Sequence, residues 1–261
     1  MVKKKFWGTV VAGLVTILLM ISFGCAPSPA PPAPAEEQEV LIGKLWDISG
    51  PIAESIVRSS KGFDNFRKWA EENEPIPGVK VVDIWEDTAY SAERYLPCYK
   101  RFKEKGVVLM TSSSSTANSV LGELFRRDKI AHLSSGAGYV EGFFPKNTKE
   151  KGPSYIFMDR PQYADTFAAA AMTFMEKWKE AGYKEKPKAM FITWDCPYGR
   201  GPVELGTPWA EEYGFEMLPP EFFPTGATEL ISQLRRAKEH GANFIYMNSV
   251  ASHFAMMLKD A

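Results

Sequence analysis

From Val40 onward the chain alternates short β-branched or aromatic runs with amphipathic stretches of helical length. Few arrangements satisfy that alternation. Strand–helix–strand repeats at this spacing build parallel sheets covered by helices, with right-handed crossovers. The spacing predicts strands over 40–46, 79–85, 107–110, 130–133, 155–158, 188–193, 215–218 and 244–248. Helices are predicted over 55–72, 92–105, 115–126, 161–181, 202–213, 228–239 and 249–261. In the first helix Ile56, Phe63, Phe66 and Trp69 fall on one stripe, read as core-facing. A Gly-, Lys- and Asn-rich break over 136–153 separates two groups of elements. The expected fold is therefore α/β and two-lobed, with lobes over 40–154 and 155–261.

The first forty residues have a different character. Lys3, Lys4 and Lys5 precede an uncharged, mostly apolar run over 6–24, the pattern of an export signal. An uncut anchor is the other reading. Residues 22–25 (Ser-Phe-Gly-Cys) resemble a lipobox, in which the cysteine is lipidated before cleavage, with Ser22 in the place of the usual leucine. A Pro/Ala-rich run follows, suited to an extended tether. The expected organisation is a signal peptide over 1–24 and a lipid-bearing Cys25 with its tether over 25–39. Loss of residues 1–24 leaves 28 basic and 32 acidic side chains, a net −4.

Composition excludes several classes. With 261 residues, 45% hydrophobic, 24% charged and a net charge of −1, the chain reads as neither disordered nor nucleic-acid binding. Three cysteines and three histidines, none in CxxC or HExxH spacing, predict no metal site and no disulfide scaffold. No nucleophile or dinucleotide-binding motif is present, so no catalytic residue, no enzyme activity and no cofactor is expected.

In open α/β sheets ligands bind beyond the carboxyl ends of the strands. Four features sit there. The run Ser112–Ser115 precedes a helix, where hydroxyls and free amides suit a carboxylate; an ordinary N-cap is the competing reading. Gly136, Ala137 and Gly138 would let a ligand approach the backbone. Tyr198 could face a cleft. Trp46, Trp85 and Trp194 each end a strand and could line a pocket or cap the core.

Jointly, several segments resemble the extracytoplasmic solute-binding proteins of branched-chain amino acid transporters, of the leucine/isoleucine/valine type. Ile42-Gly43 with Ser49-Gly50-Pro51 resembles that family's opening strand and SGP turn, and Glu86-Asp87 its second strand end. The serine run, Arg160-Pro161, Asp195 with Tyr198-Gly199, and Thr225–Thr228 follow in the family's order. The resemblance implies a type I periplasmic binding fold. It implies a small solute, either an amino acid or an amide or carboxylate, delivered to an ABC permease in the membrane. Ser113 and Ser114 would hold the solute's carboxylate. Gly136, Ala137 and Gly138 would approach it, Trp46 would line the site, and Tyr198 would close from the second lobe. It also implies further chain beyond Ala261, hence a C-terminally truncated protein with an incomplete second lobe. The location would be the periplasm or cell surface, held by a lipid anchor. A ligand-sensing ectodomain of the same fold and a secreted α/β hydrolase are the alternatives.

Overall fold

The structure is a computed structural model and describes residues 37–136 and 149–261. The first lobe runs β1 (Gln38–Trp46), α1 (Ala53–Asn73), β2 (Val79–Asp87), α2 (Ala92–Glu104), β3 (Leu109–Ser112), α3 (Ser115–Asp128), β4 (Ala131–Ser134) and β5 (Ile156–Met158). Its strands form one sheet in the order β2-β1-β3-β4-β5, with the β1/β3, β3/β4 and β4/β5 pairs parallel. The chain builds one way from β1 to β2 and the other way through β3. The order thus reverses between β1 and β3, where Leu45 stands opposite Ser112. At such a switch point the two strand ends diverge and leave a crevice.

The second lobe runs α4 (Tyr163–Glu180), β6 (Lys188–Trp194), α5 (Pro197–Tyr213), β7 (Glu216–Met217), β8 (Glu221–Phe223), α6 (Ile231–Glu239), β9 (Phe244–Tyr246) and α7 (Ala251–Asp260). β6 is central and parallel to its partners. Its Ala189 pairs with both Met217 and Phe244, which puts β7 and β9 on opposite sides.

Three apolar clusters hold these layers. In the first lobe Leu45, Tyr95, Phe102, Met110, Leu121 and Phe125 are fully buried between sheet and helices. In the second, alternate residues of β6 face two cores. Ala189 and Phe191 pack on Phe167, Ala171 and Met175 of α4. Met190, Ile192 and Trp194 face the other way, and there they meet Ile52 and Ile56 from the start of α1. A strand buried on both faces explains why β6 reads as a nearly continuous apolar run. It also means the lobes share a core. Each large side chain buried there contributes roughly 1.5–3 kcal/mol.

Four sequence expectations are corrected. The boundary expected at 154/155 falls too early, because β5 pairs with β4 through Ile156, Phe157 and Met158 and completes the first sheet. Helix α5 begins at Pro197, five residues before the expected start. Pro197 sits at its first position, where the missing N–H costs nothing. Strand β8 lies where the spacing predicts no strand. The stripe on α1 is only half right: Ile56 is buried, but Phe66 and Trp69 are 60% and 47% exposed and stack on each other. Their place towards the sheet is taken by Arg67, whose Nε lies 3.2 Å from Asp83. Below it the buried Lys44 Nζ lies 3.4 Å from both Asp64 and Asp83. An ion network under the helix has turned the aromatic pair outward.

Candidate functional site

A cleft of about 580 Å³ opens at the carboxyl ends of the first sheet and reaches the second lobe. The switch point supplies its floor. Thr111, Ser112, Ser113 and Ser115 come from the end of β3 and the start of α3, and Ser135 from the end of β4. Trp46 comes from the end of β1, and Ser55, Ser59 and Phe63 from one face of α1. Tyr163, Tyr198 and Val250 reach it from the second lobe.

Two of the four serines have structural partners. Ser114 is fully buried and caps α3, its Oγ accepting from the Ala117 amide at 3.2 Å. The Tyr95 hydroxyl bridges that oxygen (2.7 Å) and Asp47 Oδ1 (2.9 Å), tying the end of β1 to the start of α3. Asp47 Oδ1 also accepts from Thr88 Oγ1 at 2.5 Å and from the Tyr90 amide at 2.6 Å. Burial pushes the Asp47 carboxyl up from its ordinary range. The turn it grips places Ala89 and Tyr90 at φ 49° and 57°, left-handed values that cost a non-glycine residue energy. The result is that the Tyr90 ring stands in the cleft and stacks on Trp194 at 5.5 Å. Ser112 lies 2.9 Å from His132 Nε2 beneath the floor. Ser113 and Ser115 are the members of the run not committed to the cap or to His132: Ser113 Oγ is 3.5 Å from that of Ser135, and Ser115 Oγ is 3.5 Å from the Tyr163 hydroxyl of the second lobe.

On the opposite side Tyr198 is placed by a close approach. A Cβ on Gly199 would overlap the Trp194 carbonyl oxygen and lie 2.7 Å from the Trp194 carbon and 2.8 Å from its nitrogen. Only glycine lets α5 start hard against the end of β6. Asn248 Nδ2 then donates to the Tyr198 carbonyl at 2.6 Å, and the Tyr198 hydroxyl donates to the Ser249 carbonyl at 2.9 Å. The ring meets Tyr163 edge-on at 4.9 Å. Burial holds the phenol's pKa above its ordinary value, so it remains a donor. Asp195 of the same segment pairs with Arg200 at 2.6 Å and does not line the cleft.

Of the residues singled out in the sequence, Ser113, Trp46 and Tyr198 line the cleft. Ser114 does not, because its hydroxyl is consumed by the cap. Gly136 does not either: its role is to let two backbones touch, since a Cβ there would overlap the Ser114–Ser115 peptide. Ala137, Gly138 and Cys25 lie outside the described residues. Trp194 is fully buried, and Trp85 is 58% exposed away from the cleft. Sequence reasoning missed Tyr163, Phe63 and Ser59. Ser55, Ser59 and Phe63 recur at i, i+4 and i+8, a helical face that the spacing alone displays.

The family whose description is "periplasmic binding protein" matches residues 39–261. No curated protein matches the sequence. Among solved structures the chain resembles a branched-chain amino acid ABC transporter from Thermus thermophilus with bound valine. That match has a TM-score of 0.72 and 21% identity, and covers 87% of this chain and 56% of that one. A substrate-binding protein of an ABC transporter from Aeropyrum pernix gives 0.70 and 19%, over 85% and 56%. A fatty acid ABC transporter substrate-binding protein from Thermomonospora curvata gives 0.68 and 14%, over 82% and 52%. The chain thus spans little more than half the length of each. With its parallel two-lobed sheets, switch-point cleft and family match over nearly the whole described region, the chain belongs to the periplasmic binding protein family and has the type I fold.

Proposed function

We propose that this protein is the lipid-anchored, extracytoplasmic substrate-binding component of an ABC importer. It takes a small polar solute, an amino acid or a related amide or carboxylate, between its two lobes and hands it to a membrane permease. The observation that carries this reading is the cleft itself. Hydroxyls at the start of α3 face tyrosines from the second lobe across about 580 Å³, a volume ordinary for a small-molecule site. Ser113, with the amide end of α3, offers donors to a carboxylate. Closure of the lobes on the solute would be a hinge motion. Cys25, after the apolar run, would carry the anchor.

Calorimetric titration of the full chain against a panel of amino acids, amides and organic acids tests the solute. Binding is expected, and Ser113→Ala should weaken it about tenfold, the worth of one hydrogen bond to a charged group. A folded protein that takes up nothing in the panel rules the reading out. Mass spectrometry of the mature N-terminus tests the anchor. A diacylated Cys25 is expected; an intact Met1 would favour a sensor ectodomain instead.

A further inference from the structure

We infer that Asp47 is a positioning residue for the cleft: its carboxylate fixes the turn that stands the Tyr90 ring against Trp194, and so sets a contact between the lobes. The inference rests on the solute-binding reading above, in which the cleft works between two lobes. Three observations carry it.

The first is the convergence on one oxygen. Asp47 follows the last residue of β1 and is 1% exposed. Its Oδ1 accepts from the Thr88 hydroxyl and the Tyr90 amide, both in the turn after β2, and from the Tyr95 hydroxyl of α2. The backbone repeats the grip, since the Thr88 amide donates to the Trp46 carbonyl at 2.8 Å. A buried carboxylate is costly to desolvate, and an apolar side chain would often serve a core as well. Stability alone is therefore a poor reason for an acid at this place.

The second is the strain in what it grips. Ala89 and Tyr90 are consecutive and both left-handed, and neither is a glycine or an asparagine. Such a pair persists only where its surroundings dictate it. A second carboxylate helps: Asp87 accepts from the Ala89 amide at 3.0 Å and from the Ser49 hydroxyl at 2.5 Å. Gly50, at φ 83°, passes so close that a Cβ there would lie 2.5 Å from the Ala89 carbonyl oxygen. The turns after β1 and β2 are thus locked together, in a conformation that neither adopts by itself.

The third is what the locked turn delivers. The Tyr90 ring lines the cleft and lies within 19° of parallel to Trp194, and its hydroxyl is 3.8 Å from Cys196 Sγ. Both neighbours belong to the second lobe. The hydrogen-bond partners of Asp47 among the described residues belong to the first. Asp47 therefore acts on the other lobe through Tyr90. Through Tyr95 it also meets Ser114, the cap of α3, so one carboxylate references the Tyr90 ring to the helix start that floors the cleft.

The test is acrylamide quenching of Trp194 at pH 7.5, in the full chain with the other six of its seven tryptophans replaced by phenylalanine. In that background Tyr90→Ala should raise the quenching constant about twofold or more, because the indole loses its cover, and Asp47→Ala should do the same. The two together should quench no more than Tyr90→Ala alone, since a residue that acts through another is not additive with it. Circular dichroism melts identify the variants that fold. Asp47→Asn keeps the shape with a weaker acceptor; it should quench above the parent and carries the same test if Asp47→Ala does not fold. Parent-level quenching in a folded Asp47→Ala, or in Asp47→Asn where the alanine variant is lost, overturns the inference. So does an Asp47 substitution that raises quenching as much in the Tyr90→Ala background as outside it, which is what general loosening of the first lobe would give. No solute enters the measurement, so the inference can fail with the solute-binding reading intact, and that reading stands or falls on the titration panel.

Discussion

Gly199→Ala is expected to lower stability by about 3 kcal/mol or more, because the new methyl group overlaps the backbone of Trp194 and no side chain can yield. The melting temperature should fall by roughly 6–12 °C for a chain of this size. The loss should not be uniform. Gly199 lies in the first turn of α5, so the change separates that helix from β6, frees the Tyr198 carbonyl from Asn248 and moves Tyr198 out of the cleft. Solute affinity should therefore drop further than stability alone accounts for. Thermal unfolding followed by circular dichroism, with titration well below the melting point, separates the two effects. A melting temperature within a degree of the parent would show that the close approach is not needed.

Acid should destabilise the protein already between pH 6.5 and 4.5, with His132 a main cause. Its ring is fully buried against Phe125, at 4.3 Å, and burial depresses its pKa from 6.5 to about 3. The unfolded chain takes up a proton on this histidine below pH 6.5, while the folded chain resists it down to about pH 3. The unfolded state thus binds more protons in this window, and stability falls as pH falls, by up to about 1.4 kcal/mol for each pH unit. His253 is depressed by burial too and adds in the same direction. Asp47, raised by burial, works with the opposite sign as pH approaches the carboxylate range. Asp128 is held well below that range by Arg127, Lys103 and Tyr99, and loses its stabilising effect only in stronger acid. Urea melts at pH 7 and pH 4.5 should show a drop of roughly 2–3 kcal/mol, and His132→Gln should flatten most of the slope. An unchanged slope in that variant would move the cause elsewhere.

Much of the scaffold could be read directly. Periodicity located most strands and helices within a few residues, because each apolar run faces a core built from elements near it in sequence. It failed where a distant partner decides. Phe66 and Trp69 look like core residues until Lys44 and Asp83, from strands on either side in the chain, are seen to claim the space with Arg67. β5 looks like the start of the second lobe because nothing local says that it pairs back to β4. In the site the same division holds. The run of serines at a strand end lies at the cleft, three of its four members lining it. That Ser114 is withdrawn from it depends on Tyr95 and Asp47, some 19 residues and more away. Gly136 and Gly199 carry the family's pattern for a reason invisible in the pattern, namely backbone touching backbone.

The stack of Tyr90 on Trp194 joins the first lobe to the second, and Trp194 has no contact with solvent. Any motion that parts the lobes must unstack this pair and wet the indole. The protein therefore carries its own optical gauge. In a variant whose other tryptophans are replaced by phenylalanine, emission from Trp194 should be blue-shifted while the lobes are together and move to the red as they separate, so the opening equilibrium can be followed by fluorescence with no attached dye.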